Sequence, residues 1–252
     1  WIIVCILAAA AAVFLIPGYI FFKNFLVRYP DPYRDDTMPE EDFTHGFGER
    51  YKKGAAFILA QNMQPVSIKS RDHLTLRGLY FPCDGAVRTV LLAHGYHGAF
   101  FKDFSEIAEF YHAHNSNILL ITERSHRESE GKYITMGIRE SEDLALWCRF
   151  LNDSFGNQLP LYLHGISMGS SAVLMAQGEN LPDNVRGIIA DCGFSSPWEM
   201  ARHVAKNIVR APAFLLLPSV NLYARFLAHF SLKEKSVPDI LKSAHIPVLF
   251  IH

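Results

Sequence analysis

The apolar positions of this chain fall into short uninterrupted runs from residue 89 onwards, and segments of helical periodicity lie between them. Uninterrupted apolar runs of this length are typical of strands that are buried on both faces of a parallel sheet. Such runs occur at residues 89–93, 117–122, 160–164 and 247–251, and residues 185–190, which include Arg186, are predicted to form a further strand. Helices are predicted over residues 101–114, over residues 136–152 and directly after Ser167.

Two segments before these runs, residues 66–69 and 74–81, have an alternating or β-rich pattern and are predicted to pair at one edge of the same sheet. Strands that alternate with helices of this length form a mainly parallel sheet with helices on both faces. The chain is therefore predicted to have an α/β fold, in which ligands bind at the carboxyl ends of the strands.

Residues 1–22 form an apolar stretch without a charged residue, and the stretch ends at Lys23. A helix needs about 20 such residues to cross the hydrocarbon layer of a membrane. We therefore predict a single-pass transmembrane anchor at residues 1–22. A buried core helix and a cleaved signal peptide, with small residues 10–12 as its processing site, are the alternatives. The side of the membrane on which the remaining chain lies is not determined, because the flanking charges before Trp1 are needed for that.

The remaining chain divides into a connector and one large domain. Residues 23–63 are charged and contain prolines, with an amphipathic helix around residues 49–61, and are interpreted as a connector. Residues 64–252 carry the alternating pattern of the α/β domain. Within it, residues 195–235 interrupt the alternation with a mostly helical, strongly apolar insertion, which we interpret as a cap over the site. An extra packing layer without contact to substrate is the alternative.

Composition narrows the function classes. The 252 residues carry a net charge of −1 and no long run of lysine or arginine, which argues against a nucleic-acid-binding protein. The four cysteines, Cys5, Cys83, Cys148 and Cys192, are widely spaced and contain no CxxC pair. This spacing argues against a zinc site or a disulfide framework, and each cysteine is interpreted as a small buried apolar side chain. No metal and no organic cofactor is expected.

The motif with the clearest chemical meaning is Gly165-Ile166-Ser167-Met168-Gly169. A G-x-S-x-G pentapeptide alone is weak evidence, because it arises by chance in roughly one chain in ten of this length. Here an apolar strand leads directly into it and a helical segment leads directly out, which is the context of a nucleophile elbow. Ser167 is therefore the predicted nucleophile, and Gly165 and Gly169 are predicted to keep side chains away from the crossing of strand and helix. A purely structural turn is the alternative. A dinucleotide-binding loop is not indicated, because the glycine spacing differs.

Acyl transfer needs hydrogen-bond donors directed at the developing oxyanion, and backbone amides are the usual source. The amide of Met168, the residue after the nucleophile, is one predicted donor. The second is predicted in the turn after residues 89–93, at the amide of Tyr96. His94 and His97 also lie in this turn. His94 precedes the turn glycine and is expected to orient the loop by hydrogen bonding, and a role of either histidine as general base is a weaker alternative.

The segments LLAHGYHG, LYLHGISMGSSAVL, IIADCGFSSPWE and IPVLFIH, in this order, resemble the α/β-hydrolase superfamily. More narrowly, the chain is similar to membrane-anchored bacterial serine hydrolases of the Bem46-like and serine-aminopeptidase-like branches, over roughly residues 64–252. One departure lies in the loop ERSHRESEG at residues 123–131, where relatives often carry D-x-R-x-H-G-x-S-x-G. Arg124, His126, Ser129 and Gly131 are kept, but Arg127 stands where glycine is usual.

The resemblance also implies a catalytic acid after the seventh strand and a catalytic histidine further on. Residues 247–251 are the expected seventh strand, and His252 resembles the first residue of the turn that bears the acid, so both groups are expected beyond it. Asp191 at the end of the preceding strand is an alternative acid. His203, His229 and His245 precede the seventh strand, so a base among them would break the order of the family, and they are expected to be surface or packing residues.

The resemblance therefore implies a membrane-anchored serine hydrolase that cleaves an acyl ester through an acyl-enzyme intermediate on Ser167. A small-molecule or lipid-like acyl substrate is favoured by the apolar insertion and the anchor. A peptidase or amidase with the same machinery is one alternative, and a non-catalytic binding protein that keeps the fold is another.

Overall fold

The computed structural model describes residues 1–29, 48–98, 100–156 and 159–252. Most of the predicted connector, residues 30–47, lies outside the described residues. The helices are α1 (Ile2–Leu26), α2 (Gly48–Ala60), α3 (Phe100–Ala113), α4 (Ile138–Phe155), α5 (Met168–Met175), α6 (Pro197–His203), α7 (Ala213–Leu227) and α8 (Val237–Leu241). The strands are β1 (Gln64–Lys69), β2 (Thr75–Phe81), β3 (Arg88–Ala93), β4 (Ser116–Thr122), β5 (Leu161–Ile166), β6 (Val185–Asp191) and β7 (Val248–Ile251).

The seven strands form one sheet in the order β1-β2-β4-β3-β5-β6-β7. Strand β2 is antiparallel to both of its neighbours, and the five strands from β4 to β7 in this order run parallel. The predicted α/β fold with a mainly parallel sheet is thus confirmed, as is the pairing of the first two strands at an edge. Each predicted strand and helix occurs within a few residues of its predicted bounds.

Both faces of the sheet are covered because the central strands carry consecutive apolar residues. On β3, Leu91 packs into a cluster with Trp147 of α4 and Ala172 of α5. Its sequence neighbours Val90 and Leu92 point to the other face and pack with Phe104 of α3. Side chains alternate across a strand, so an uninterrupted apolar run must be buried on both sides.

A third apolar cluster lies outside these two layers and joins the N-terminal helix to the insertion. It contains the side chains Phe21, Phe22, Phe25 and Leu26 of α1 together with Leu216, Leu217, Val220 and Ala224 of α7. Helix α1 is long and apolar enough to cross a membrane, although only 6% of its most apolar window is buried in the protein. The insertion is mostly helical, as expected: α6 continues into a π-helical turn (Val204–Val209), and α7 follows.

Candidate active site

Ser167 occupies a strained position between β5 and α5. Its backbone has φ 55° and ψ −111°, a conformation that residues with a side chain rarely adopt. The Ser167 amide donates a hydrogen bond to the carbonyl oxygen of Asp191 at 2.8 Å, which ties the turn to the end of β6. The side chain is half-buried and lies where the strand gives way to the helix. The strand, turn and helix expected around the motif are therefore present.

The two glycines of the motif stand where backbone segments meet. A Cβ atom built on Gly165 would collide with the backbone of Gly169, and one built on Gly169 would collide with the carbonyl group of Ala93. Neither obstacle is the end of a flexible side chain, so no rotamer change relieves it. Glycine at both positions lets α5 start directly over the ends of β3 and β5, which explains the spacing of the motif.

The turn after β3 lies against Ser167. A Cβ atom on Gly95 would stand 3.3 Å from the Cβ of Ser167, so the backbone beside Tyr96 borders the serine. The turn is held by Asp103 in the first turn of α3, whose carboxylate accepts a hydrogen bond from the Gly95 amide at 2.7 Å. This role of Asp103 is not among the predictions from the sequence, although an acidic residue in the first turn of the next helix is a signal for it.

Two neutral, buried histidines hold the same turn through hydrogen bonds. His94 Nδ1 donates to the Gly95 carbonyl oxygen at 2.8 Å, and its Nε2 accepts from the Glu123 amide at 3.1 Å. His126 Nδ1 donates to the Arg124 carbonyl oxygen at 2.8 Å, and its Nε2 accepts from the His97 amide at 3.2 Å. Burial lowers the pKa of both rings, that of His126 well below its usual value. The expectation that His94 orients the loop by hydrogen bonding is confirmed.

The Glu123 carboxyl completes this buried group. Its side chain is only 3% exposed, and within the described residues neither of its oxygens has a hydrogen-bond partner. Burial, together with the nearby Glu140, Asp143 and Asp103, raises the pKa of Glu123 well above its usual value. Potential ligand atoms of Glu123, His94 and His126 lie within 4.8 Å of one another. A metal ion would have to displace backbone partners from both rings, so the geometry favours a protonated carboxyl between two neutral imidazoles.

The loop that follows β4 is fixed by an ion pair network. Arg124 donates to both carboxylate oxygens of Asp143 at 2.7 and 2.8 Å and to both oxygens of Asp72 at 3.0 and 3.1 Å. Arg127, where relatives often have glycine, has a φ of 37° in the left-handed region. The loop thus keeps a backbone conformation that favours glycine, although the residue is arginine.

The C-terminal end of α1 contacts the same two loops. Arg28 donates to the Ser129 carbonyl oxygen at 2.8 Å and to the Arg127 carbonyl oxygen. The Tyr96 hydroxyl donates to the Phe25 carbonyl oxygen at 3.0 Å, and the two rings lie 5.8 Å apart. Burial raises the pKa of Tyr96 to about 12. These contacts come from residues 25–28, just after the predicted anchor of residues 1–22, so the start of the predicted connector is part of the surroundings of the site, which the sequence did not indicate.

Other predicted residues lie apart from this cluster. His203, His229 and His245 are exposed, as expected for surface histidines. A cavity of about 640 Å³ beside the Arg124 loop is lined by residues that include His229 and Tyr133, but Ser167 does not line it. The prediction that all four cysteines are buried is wrong: Cys148 is buried, whereas Cys5 and Cys192 are exposed. Cys5 lies in the N-terminal apolar helix, and Cys192 follows β6 at the edge of the site.

Comparison with known proteins supports the fold. No family model matches the chain. The uncharacterized protein YqkD of Bacillus subtilis is 29% identical over 136 residues, which are 54% of this chain and 45% of that protein. The match thus spans less than half the length of this curated relative. The Pyrococcus furiosus esterase Pf2001 superposes with a TM-score of 0.60 at 21% identity, covering 77% of this chain and 71% of the esterase. An acylaminoacyl peptidase of Pyrococcus horikoshii superposes with a TM-score of 0.51 at 18% identity, covering 79% of this chain and 33% of the peptidase.

The narrower resemblance to the Bem46-like branch stays a prediction. The observed strand order, the strained serine between strand and helix, and the solved structures that superpose on the chain together identify its architecture as the α/β-hydrolase fold.

Proposed function

We propose that the chain is the core of a serine hydrolase that cleaves an acyl ester. Ser167 gives its proton to a general base and attacks the acyl carbonyl, while the amides of Tyr96 and Met168 donate to the oxyanion. The bond to the alcohol then breaks, and the alcohol leaves with that proton. Water attacks the resulting acyl-serine, releases the acid and returns a proton to Ser167. The backbone conformation of Ser167 is the observation that carries this proposal. A left-handed serine at the start of a helix is strained, and such strain is retained at sites where it holds a reacting group.

The two amides are suited to bind an oxyanion. Met168 is the first residue of α5, so its N–H belongs to the helix terminus, where amides lack partners within the helix and negative charge is favoured. Tyr96 follows Gly95, whose backbone borders the serine and is held by Asp103. Both donors therefore belong to backbone that is fixed before substrate binds, which is the condition for electrostatic stabilisation without reorganisation.

The general base and the acid belong to the proposal as predictions from the resemblance, in the order serine, acid, histidine. His94 and His126 are poor candidates for the base, because backbone groups engage both nitrogens of each ring. Asp191 stays an alternative acid, since its backbone touches the Ser167 turn. Without a base the serine hydroxyl is a weak nucleophile, so the proposal requires a histidine that can take its proton.

The surroundings of the serine favour an apolar acyl group. Met168, Tyr96, Phe194, Trp198 and Met200 belong to or pack against the cluster that joins the insertion to α1. The insertion is accordingly proposed to act as the cap, with α1 as a single-pass membrane anchor. An amide substrate uses the same donors and nucleophile, so the ester is preferred on the apolar surroundings alone.

The nucleophile is tested by labelling the full-length protein with a fluorophosphonate probe, which reacts with activated serines. The parent protein and the control Ser67→Ala, which changes an exposed serine on β1, should label equally, and Ser167→Ala should not label. Labelling of Ser167→Ala would refute the assignment. If no form labels, the alternative of a non-catalytic binding protein is favoured. Hydrolysis of p-nitrophenyl esters compared with aminoacyl amides then separates an esterase from a peptidase.

A further inference from the structure

Helix α7 is apolar on two opposite faces. Its inner face, with Leu216, Leu217 and Val220, is buried against α1 and α6. On its outer face Phe214 and Phe226 are 76% and 72% exposed. A helix of a soluble domain normally places polar residues on the face opposite its buried stripe. The outer face of α7 therefore needs a partner of its own.

The exposed apolar surface continues beyond α7. Ile208, 69% exposed, and Val209 lie in the π-helical turn just before it, and Leu215 and Leu222 are also exposed on α7. We call these residues and the two phenylalanines the outer apolar patch: Ile208, Val209, Phe214, Leu215, Leu222 and Phe226. Groups of exposed large apolar residues that lie this close in the chain indicate sites of contact with proteins or membranes.

The patch lies beside the helix that is apolar enough to span a membrane. Gly18 of α1 lies so close to Ser219 of α7 that a Cβ on the glycine would collide with the serine side chain. One residue on, the rings of Tyr19 and Tyr223 lie 5.3 Å apart. Both contacts precede Lys23, the first charged residue of α1, by about 6–7.5 Å along the helix axis. Helix α7 thus meets α1 on its uncharged portion rather than beyond it.

The charges around the patch have one sign. Lys206, Arg210 and Arg225 are exposed beside it, and Glu199 is the single acidic residue among positions 195–228. Glu199 pairs with Arg202. Apolar side chains bordered by lysine and arginine are the pattern of helices that lie in the headgroup region of membranes with anionic lipids. Two copies of this surface, in contrast, would bring like charges together.

We propose that the outer apolar patch inserts into the leaflet next to the end of α1, with Lys206, Arg210 and Arg225 at the anionic headgroups. The insertion then lies on the membrane, and the site at Ser167 is held at the membrane surface instead of being linked to it only through α1. This inference rests on the proposed anchoring by α1 and not on the proposed chemistry.

The test places the photoreactive residue p-benzoylphenylalanine at single positions of the full-length protein in nanodiscs of phosphatidylcholine and phosphatidylglycerol. Positions Phe214 and Phe226 probe the patch, and Phe14 of α1 probes the anchor. Phe110 on α3, an exposed phenylalanine outside the insertion, is the matched control. After irradiation, mass spectrometry should find lipid adducts at positions 14, 214 and 226 and none at 110.

Adducts at position 14 without adducts at 214 and 226 would overturn the docking and leave the anchoring intact. Absence of adducts at position 14 as well would show that the anchoring itself is wrong. Adducts between two copies of the chain at 214 or 226 would show that a second copy covers the patch, and would equally overturn the proposal.

The charges are tested with Lys206→Gln and Arg210→Gln, which change exposed residues and should fold. The yield of lipid adducts at position 226 reports the ratio of inserted to free patch. For each substitution, this ratio should fall about fivefold in anionic nanodiscs. In nanodiscs of phosphatidylcholine alone it should not change. An equal effect in both kinds of nanodisc would refute the proposed contact with anionic headgroups.

Discussion

Replacing Glu123 by glutamine tests how the buried group under the Ser167 site is built. Within the described residues the parent carboxyl has no hydrogen-bond partner, and burial, together with three nearby acidic residues, raises its pKa. The folded protein therefore keeps it protonated at pH values where the unfolded chain ionises it. Glutamine has nearly the same shape and is neutral at every pH, so Glu123→Gln removes the titration and little else.

The sign and size of the effect follow from linkage. Below its ordinary pKa of 4.5 the Glu123 carboxyl is protonated in both states, so its titration does not change the free energy of folding. As the pH rises above this value, the unfolded chain releases the proton and the folded protein retains it. Folding then loses about 1.4 kcal/mol per pH unit, until the pH reaches the raised pKa of the folded state. Glu123→Gln should therefore be increasingly more stable than the parent as the pH rises through this window.

The measurement is urea unfolding of the full-length protein in detergent at pH 5, 6, 7 and 8, followed by the fluorescence of the buried Trp147. The difference in unfolding free energy between variant and parent is compared at each pH, so that titrations common to both proteins cancel. Glu128→Gln, which removes an exposed glutamate of the same loop, is the matched control for the loss of a carboxyl group. A difference for Glu123→Gln that stays constant with pH would show that the carboxyl is charged in the folded protein, and the reasoning would be wrong.

Three further predictions concern stability. Gly169→Ala should lower the free energy of unfolding by about 3 kcal/mol or prevent folding, because the added Cβ collides with the Ala93 carbonyl group; thermal unfolding measures this. Arg124→Met should cost about 3–5 kcal/mol in the same assay, since it leaves the buried Asp143 carboxylate without its main partner. His164→Gln should make the protein less sensitive to acid, because burial lowers the pKa of His164 to about 4. As the pH falls from 6.5 towards 4, this histidine costs the parent about 1.4 kcal/mol of unfolding free energy per pH unit. Unfolding curves across that range should therefore show a smaller loss of stability in the variant than in the parent.

The sheet was predictable because burial on both faces forces a continuous apolar run, and few other structures produce one. The run at residues 117–122 became β4, in which every residue is buried. The serine turn was predictable for a similar reason, since only glycine at positions 165 and 169 allows strand and helix to cross so closely. In both cases one local physical constraint leaves a direct trace in the residue types.

The surroundings of the site were less predictable, because they depend on contacts between distant parts of the chain. Nothing in the amino-acid sequence around Tyr96 shows that its hydroxyl donates a hydrogen bond to the Phe25 carbonyl oxygen, 71 residues away in sequence. Glutamate is normally a surface residue, so the sequence does not predict that the Glu123 side chain is buried. Nor does it predict that its oxygens have no hydrogen-bond partner among the described residues. Both are consequences of packing. The prediction of buried cysteines was wrong for the same reason. Cysteine is buried on average, but the residue type does not show the environment of one particular residue such as Cys192.

The packing of α1 bears on how the protein can be handled. Anchored proteins are often made soluble by cutting the chain just after the apolar segment, here at about residue 26. That cut would remove Phe21, Phe22, Phe25 and Leu26, all of which are buried against the rest of the protein. The shortened protein would present an empty apolar trough on α7 and beside Tyr96, and it should aggregate. Purification with the whole helix in detergent or lipid is therefore the better route to an ordered sample.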